Sequence, residues 1–203
     1  MGHYTGPKAK INRRLGVNVY DSGGAIRAAR KRPTPPGEHP WRNRKPSAYG
    51  LALMNKQVLK HYYGLSERQL WRFFQVARRQ RGNVGSSLLE VCERRLDNLV
   101  RRAGLARTRS QARQGVAHGH FTVNGKIART ASQLLKAGDV VAVRGRANLR
   151  EFYKNLAEDS AKDRDSCAVL DQEALTFAVQ ALPKAAEVTL DVNIDKVVEL
   201  LSR

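Results

Sequence analysis

Between residues 108 and 126 the chain reads TRSQARQGVAHGHFTVNGK. The residue types that could do chemistry here are Arg109, Arg113, His118, His120 and Lys126, with Ser110 and Gln111 as neutral donors. Thr108-Arg-Ser-Gln111 is a capping-box pattern, so a short helix is predicted from about Arg109 to His118, stopped by Gly119. Arg109 and Arg113 lie four apart and share one face of that helix. Two guanidinium forks beside the open N–H groups of a helix N-terminus suit phosphate oxygens. His118 and His120 can stack on a base or donate to phosphate. Arg107 precedes the helix and Lys126 follows the turn. From residue 98 to residue 138 the sequence contains no Asp or Glu, whereas a merely solvated helix face normally mixes signs. His-Gly-His could also suggest a metal site, but two imidazoles without a nearby Cys, Asp or Glu are too few ligands. Neither a metal nor another cofactor is expected.

The elements that hold these residues are legible on either side. Phe121-Thr-Val123 reads as a strand, Asn124-Gly125 as a type I′ hairpin turn and Lys126-Ile127 as the return. Gly138-Asp139 marks a turn before the strand Val140 to Val143. Residues 94–146 therefore read as a compact module of two helices and antiparallel strands. Upstream, Ser47 can cap a helix ending near Gly64, and Ser66-Glu-Arg-Gln69 opens a second that Gly82 closes. Ser87-Leu-Leu-Glu90 opens a third that Gly104 ends, with Leu88, Cys92, Leu96, Leu99, Val100 and Ala103 along one apolar stripe. Cys92 reads as a small core residue. Downstream, Leu149, Phe152, Tyr153 and Leu156 mark one amphipathic helix, residues 158–168 are polar, and Val192 to Leu201 is apolar enough to pack back on the helical part.

Residues 1–46 show little helical periodicity and many Gly and Pro turns. They read as a basic extended arm that orders against RNA, with Tyr4, Tyr20 and Trp41 offering faces for stacking and Lys8, Lys10, Arg13, Arg14, Arg32, Arg44 and Lys45 offering charge. The domain reading is an arm (1–46), a helical part (47–93), an RNA-binding module (94–146) and a C-terminal segment returning to the helical part (147–203).

Composition narrows the partner. The 203 residues carry a net charge of +19 and a pI near 10.7. Self-repulsion of that size destabilises a compact state until a polyanion offsets it, which points first to nucleic acid and second to an anionic membrane surface. Residues 1–60 hold 13 Lys and Arg against 2 acids, while 161–203 hold 5 against 8, so the polyanion should meet the first three quarters of the chain. Two cysteines cannot build a disulfide framework or a four-sulfur metal site. No apolar run approaches the roughly 18 residues of a membrane span, and the expectation is a soluble, cytoplasmic protein.

The stretch RRLDNLVRRAGLARTRSQARQGVAHGHFTVNGK closely resembles the RNA-binding module of the small-subunit ribosomal protein four family. YTGP near the start, RPTPPGEH, KPSAYG, YYGLSERQL and a terminal Ser-Arg extend the likeness. The resemblance implies an α+β fold, with a helical part built from N- and C-terminal segments and a small α/β module inserted between helices. It implies a structural constituent of the small ribosomal subunit that binds the five-prime domain of 16S rRNA early in assembly. It further implies contact with ribosomal protein five and an influence on accuracy near the mRNA entrance. Some bacterial members also repress their own message, which would add mRNA as a partner. On this alignment Arg95 and Asn124 join the RNA-binding set.

Three departures from the family bear on this chain. Many members carry four N-terminal cysteines that hold zinc or an iron–sulfur cluster. Here there are none, so basic side chains and rRNA contacts are expected to hold the arm. Gly115 stands where the family usually has a large apolar residue; at about 1 kcal/mol relative to Ala, plus lost packing, the module should be softer. The segment 157–203 lacks the family's aromatic ending.

Two rival functions compete for the same residues. Pseudouridine synthases carry the same module and an Arg-Leu-Asp motif with a nucleophilic aspartate, and Arg95-Leu96-Asp97 is present here. It falls on the apolar stripe with no catalytic domain around it, so Asp97 is expected to pair with neighbouring arginines, and no enzymatic activity is expected. A free stress-type RNA-binding protein would need only the module and not the long arm.

Overall fold

The computed structural model describes residues 4–38, 46–159, 168–183, 185–188, 190 and 192–202. In chain order the helices are α1 (Lys8–Leu15), α2 (Gly23–Lys31), α3 (Ala48–Tyr62), α4 (Glu67–Arg78), α5 (Val84–Glu93), α6 (Leu96–Arg102) and α7 (Arg109–Ala117). Strands β1 (Phe121–Val123), β2 (Lys126–Ala128) and β3 (Val140–Val143) follow, then α8 (Ala147–Asp159), β4 (Ala168–Asp171), β5 (Thr176–Val179) and α9 (Ile194–Ser202). Helices and an antiparallel sheet together make the fold α+β.

Two compact units emerge, residues 1–88 with 188–203 and residues 89–187. In the first, α9 packs on α3 and α4, as the apolar ending predicted. Asn55 Oδ1 accepts from the Asn193 backbone N–H at 3.1 Å, one residue ahead of α9. Ser47 caps α3 by accepting from Gly50 N–H at 3.1 Å. Ser66 and Gln69 form a reciprocal capping box on α4, and Gly64 takes the left-handed conformation at φ 59°.

The expectation of an extended arm is corrected. Residues 8–15 and 23–31 are helical, and Ile11, Leu15 and Val19 form a buried cluster with Val58 of α3. Tyr4, Tyr20, Tyr62, Leu190 and Val192 pack around it. Asn12, 2% exposed, reinforces this: its Oδ1 accepts from Tyr20 N–H at 3.1 Å and its Nδ2 donates to Tyr20 O at 3.3 Å. Apolar packing and these bonds tie the segment to α3. The signal was short, an Ile11–Leu15 pair one turn apart in a two-turn helix, and the surrounding Gly and Pro hid it.

In the second unit the sheet order is β2-β1-β3-β5-β4, with every neighbouring pair antiparallel. Phe121 lies opposite Val143, Val123 opposite Val141, and Val141 opposite Phe177, so one face is continuously apolar. Leu96, Leu99 and Val100 of α6 with its C-cap Ala103, Ala112 and Val116 of α7, and Tyr153, Leu156 and Ala157 of α8 share the core with that face. The C-terminal expectation is thereby corrected as well. Only 188–203 belongs with the helical unit, whereas α8, β4 and β5 complete the module. The period-two pattern Thr176-Phe-Ala-Val179, with Phe177 and Val179 buried, was the missed strand signal.

The single third helix is also corrected to two, α5 and α6. Asn83 caps α5 through its Oδ1, which accepts from Gly85 and Ser86 N–H at 2.7 and 3.2 Å. At the break, Arg95 makes an antiparallel bridge to Leu134, with Leu96 N–H donating to Gln133 O and Leu135 N–H to Arg94 O, each at 2.9 Å. The backbone at the break is thus satisfied by residues 133–135 in place of a helical turn.

Candidate nucleic-acid interface

Helix α7 begins as its sequence dictates, with Thr108 Oγ1 accepting from Gln111 N–H at 3.2 Å. The box is not reciprocal: Gln111 Oε1 accepts from Arg107 N–H at 3.0 Å, one residue upstream of the cap. Gly119 at φ 70° stops the helix, and Asn124 and Gly125 at φ 49° and 77° make the hairpin turn.

The two α7 arginines are held by α6. Arg109 Nε donates to Asn98 Oδ1 at 2.9 Å, and Arg113 Nη1 lies 3.4 Å from Asp97 Oδ2. Asp97 is gripped from below by fully buried Arg95, whose Nε and Nη2 donate to its two oxygens at 3.0 and 2.6 Å. Asn98 in turn donates through Nδ2 to the Glu93 carboxylate and carbonyl, and Arg102 Nε pairs with Glu93 at 2.7 Å. A buried polar network on one face of α6 therefore sets the aim of Arg109 and Arg113. Burial pulls Arg113 below the usual arginine value, and Asp97 opposes that pull.

Three placements differ from expectation, and Asp97 pairs with arginines as expected. Arg95 is 0% exposed and works as an internal clamp on Asp97, so it is withdrawn from the RNA-contacting set. Asn124 uses its amide on the hairpin, donating to Asp139 Oδ1 and accepting from Val140 N–H, each at 2.9 Å. The Lys136 backbone N–H, then the Asn124 amide, holds the Asp139 carboxyl below its usual range. Arg107 is exposed but pairs with Asp159 of α8, an acid more than fifty residues away that the local charge count could not see. Asp97, buried and occupied by two guanidinium groups, is not placed as a nucleophile.

At the other end of α7, His118 is exposed and its ring centroid lies 5.8 Å from that of His120. His120 Nδ1 is 3.0 Å from the Tyr153 hydroxyl. Desolvation, then His118, Arg144 and Arg146, lower the His120 pKa, and burial pushes the Tyr153 phenol up to about 12. In the tautomer where the phenol donates to Nδ1, the imidazole proton sits on Nε2, available to an incoming acceptor. Gly115 makes this contact possible, since a Cβ there would stand 2.5 Å from the Tyr153 hydroxyl and 3.1 Å from Phe121 Cε2. The loss of packing expected at Gly115 is therefore corrected: Tyr153 fills the space a larger side chain would take.

Sequence reasoning missed Arg129, Arg144 and Arg146. Arg144 Nη1 donates to Gly119 O at 3.3 Å, and Arg129 Nε would sit 3.3 Å from a Cβ at Gly119. The long acid-free run marked Arg129, but only the β1–β3 pairing brings residues 144 and 146 beside His120. Ser110 and Lys126 are exposed and Gln111 half-buried. The second unit thus carries Arg109, Arg113, His118, His120, Lys126, Arg129, Arg144 and Arg146, with His118, Lys126, Arg129 and Arg146 exposed and Arg109, Arg113 and Arg144 bonded within the protein. Among the described residues no group of three or more His, Cys, Asp or Glu converges as metal ligands, and no helix is long and apolar enough to cross a membrane.

In the first unit, Lys10, Arg14 and Arg32 are exposed and Lys8 half-buried. Arg13 spends its guanidinium on the chain, donating to Thr34 O at 2.9 Å and Pro35 O at 3.4 Å. Tyr4 and Tyr20 stack on one another with ring centroids 6.2 Å apart, and Tyr20 Oη is 3.0 Å from His61 Nδ1. The faces expected to receive bases are thus used within the protein. Arg44 and Lys45, like Trp41, lie outside the described residues.

Comparison with known proteins agrees with this arrangement. Residues 3–93 match the family described as Ribosomal protein S4/S9 N-terminal domain, and residues 94–141 match the S4 domain. The small ribosomal subunit protein uS4 of Rhodopirellula baltica is 52% identical over the full length of both chains. Those of Roseiflexus castenholzii and Akkermansia muciniphila are 42% and 40% identical, again over all of both chains. With matches of this extent, the chain belongs to the ribosomal S4 family, whose relatives are small ribosomal subunit proteins uS4.

Proposed function

We propose that this chain is a structural constituent of the small ribosomal subunit that binds 16S rRNA through phosphate contacts and does no covalent chemistry of its own. The observation that carries the reading is the preset aim of the α7 arginines, Arg109 on Asn98 and Arg113 on Asp97, beside the donors gathered around His120. Side chains already fixed lose less entropy on binding, so each contact costs less to form. Phosphate neutralisation then supplies most of the affinity and the folded shape of the RNA supplies register.

The finer reading follows the family: the five-prime domain of 16S rRNA as target, early binding that nucleates body assembly, contact with ribosomal protein five, and a place near the mRNA entrance where accuracy is affected. Binding of its own message and a cytoplasmic location belong to the same proposal. Nucleic acid is favoured over an anionic membrane because the donors sit at a helix N-terminus and a hairpin, with histidines suited to bases. The test is sedimentation of the full chain with small subunits through high-salt gradients, combined with footprinting on 16S rRNA. Co-migration and protections confined to the five-prime domain are expected. Absence from the subunit peak, or affinity for rRNA no greater than for heparin, would refute the proposal.

A further inference from the structure

Tyr153 keeps a hydroxyl at a place where the ring alone would serve the packing. The residue is 3% exposed and its ring centroid lies 5.0 Å from that of Phe121, and a buried hydroxyl without a partner is costly. Among the described residues its hydrogen-bond partner is His120 Nδ1 alone, at 3.0 Å. The same hydroxyl fills the space left open by Gly115, 2.5 Å from where a Cβ would stand. Gly115 and Tyr153 are thus fitted to one another, and the hydroxyl they place is aimed at His120.

The imidazole is anchored from several sides. Its backbone N–H donates to Gly115 O at 3.0 Å and its carbonyl accepts from Arg144 N–H at 2.9 Å. Nδ1 is the inward nitrogen, since a Cβ at Gly115 would lie 3.7 Å from it. Nε2, across the ring, has no hydrogen-bond partner among the described residues. The charged and titratable groups acting on the ring are His118, Arg144 and Arg146, together with the Tyr153 phenol, which burial keeps protonated. No carboxylate is among the groups that shift it.

The Tyr153–His120 bond can be built in two ways. If Nδ1 carried the proton and the phenol oxygen accepted, the phenol's own proton would be buried with no acceptor among the described residues. If the phenol donates, both groups are satisfied and the ring proton sits on Nε2. The second arrangement also resists protonation of the imidazole, because a proton added at Nδ1 strands that of the phenol.

We infer that Tyr153 is a positioning residue for RNA binding: its hydroxyl holds His120 as the Nε2–H tautomer, which donates as a neutral group to a phosphate oxygen of the rRNA. Arg144, Arg146 and His118 attract the phosphate, and the imidazole supplies direction in place of charge. The inference rests on the rRNA-binding reading above and assigns a role to a residue outside the acid-free run.

The test combines two measurements on the full chain. Nitrogen NMR of the imidazoles, with the His120 signal assigned by its loss in His120→Gln, reports which ring nitrogen holds the proton. Nε2–H is expected in the wild type, and both tautomers in Tyr153→Phe. Binding of a five-prime-domain transcript of 16S rRNA is then followed against salt and pH. His120→Ala should weaken binding about tenfold, the worth of a hydrogen bond to a charged acceptor. It should leave the log–log salt slope unchanged, whereas loss of a cationic contact would reduce that slope by about 1. His120→Gln, which keeps a neutral donor, should recover most of the affinity and leave the pH profile as it is in the wild type. Tyr153→Phe should cost about 2- to 12-fold through lost preorganisation. It also frees His120 to take a proton, so affinity should then rise as pH falls through 6.5, and adding His120→Gln should abolish that rise. A dominant Nδ1–H tautomer in the wild type, a salt slope lowered by His120→Ala, or an affinity indifferent to His120→Ala overturns the inference and leaves the rRNA reading standing. So does a Tyr153→Phe chain that loses stability but keeps the wild-type tautomer and pH profile, which would make Tyr153 a packing group. A wild-type chain with no preference for the transcript over heparin sinks the rRNA reading and this inference with it, whichever tautomer the NMR finds.

Discussion

Replacing Gly115 by alanine separates two opposed effects. Helix propensity alone favours the change by about 1 kcal/mol. Against this, the new Cβ would stand 2.5 Å from the Tyr153 hydroxyl and 3.1 Å from Phe121 Cε2. Tyr153 is a rigid ring, 3% exposed, with Phe121 and Phe152 centroids at 5.0 and 5.2 Å, so the oxygen retreats only if the whole ring moves. Overpacking of that kind costs about 1–3 kcal/mol, and losing the Tyr153–His120 hydrogen bond costs about 0.5–1.5 kcal/mol more. Gly115→Ala should therefore destabilise by roughly 0.5–3.5 kcal/mol, the sum of these terms. In the second unit, of roughly a hundred residues, each kcal/mol is worth about 4–8 °C of melting temperature. The assay is urea unfolding of Gly115→Ala in two backgrounds, wild type and Tyr153→Phe. Without the hydroxyl the collision eases, so the coupling between the two sites should reach about 1–3 kcal/mol. Stabilisation of the wild type by alanine, or strict additivity with Tyr153→Phe, would refute the packing account and restore the simple propensity argument.

Other consequences follow from the same geometry. Asp97→Ala leaves Arg95 buried without its bidentate partner and should cost about 3–5 kcal/mol in urea unfolding; a loss below about 1 kcal/mol would mean the pair carries little. Asn12→Ala strips the Tyr20 N–H and C=O of their partners and should cost about 1–3 kcal/mol, read as faster proteolysis within residues 8–31, and unchanged cleavage would contradict it. His61 is lowered from its ordinary value of 6.5 by desolvation, then by Lys60, with Glu67 opposing and Arg14 adding. A base whose folded pKa is depressed binds fewer protons in the native state, so stability should fall as pH drops below about 6.5. His120 shifts the same way. His61→Gln together with His120→Gln should flatten the stability profile between pH 6.5 and the folded-state values, and an unchanged slope would show that other groups set it.

Much of this protein can be read along the chain because the relevant physics is local. Capping side chains act within three residues, which is why Ser47, Ser66 and Thr108 mark helix starts correctly. Asn124-Gly125 specifies its turn through two positive φ angles that few other residue pairs adopt. Net charge, also a property of the sequence, points to a polyanion wherever the chain folds. The cation-rich stretch from Arg107 to Lys126 was legible for the same reason.

Tertiary structure decided what depends on distant partners. Arg95 carries the same guanidinium as Arg109 and Asn124 an amide able to reach phosphate, yet one is buried beneath Asp97 and the other is used up within its hairpin. Arg107 meets Asp159 of α8, and counting charges along the chain cannot foresee that pairing. Gly115 looks like a weak point until Tyr153 arrives from α8 to occupy its space. Residues 8–31 look unable to fold until Val58 of α3 covers Ile11, Leu15 and Val19. A donor's role depends on whether the fold brings it an acceptor, and that pairing is a property of three-dimensional neighbours.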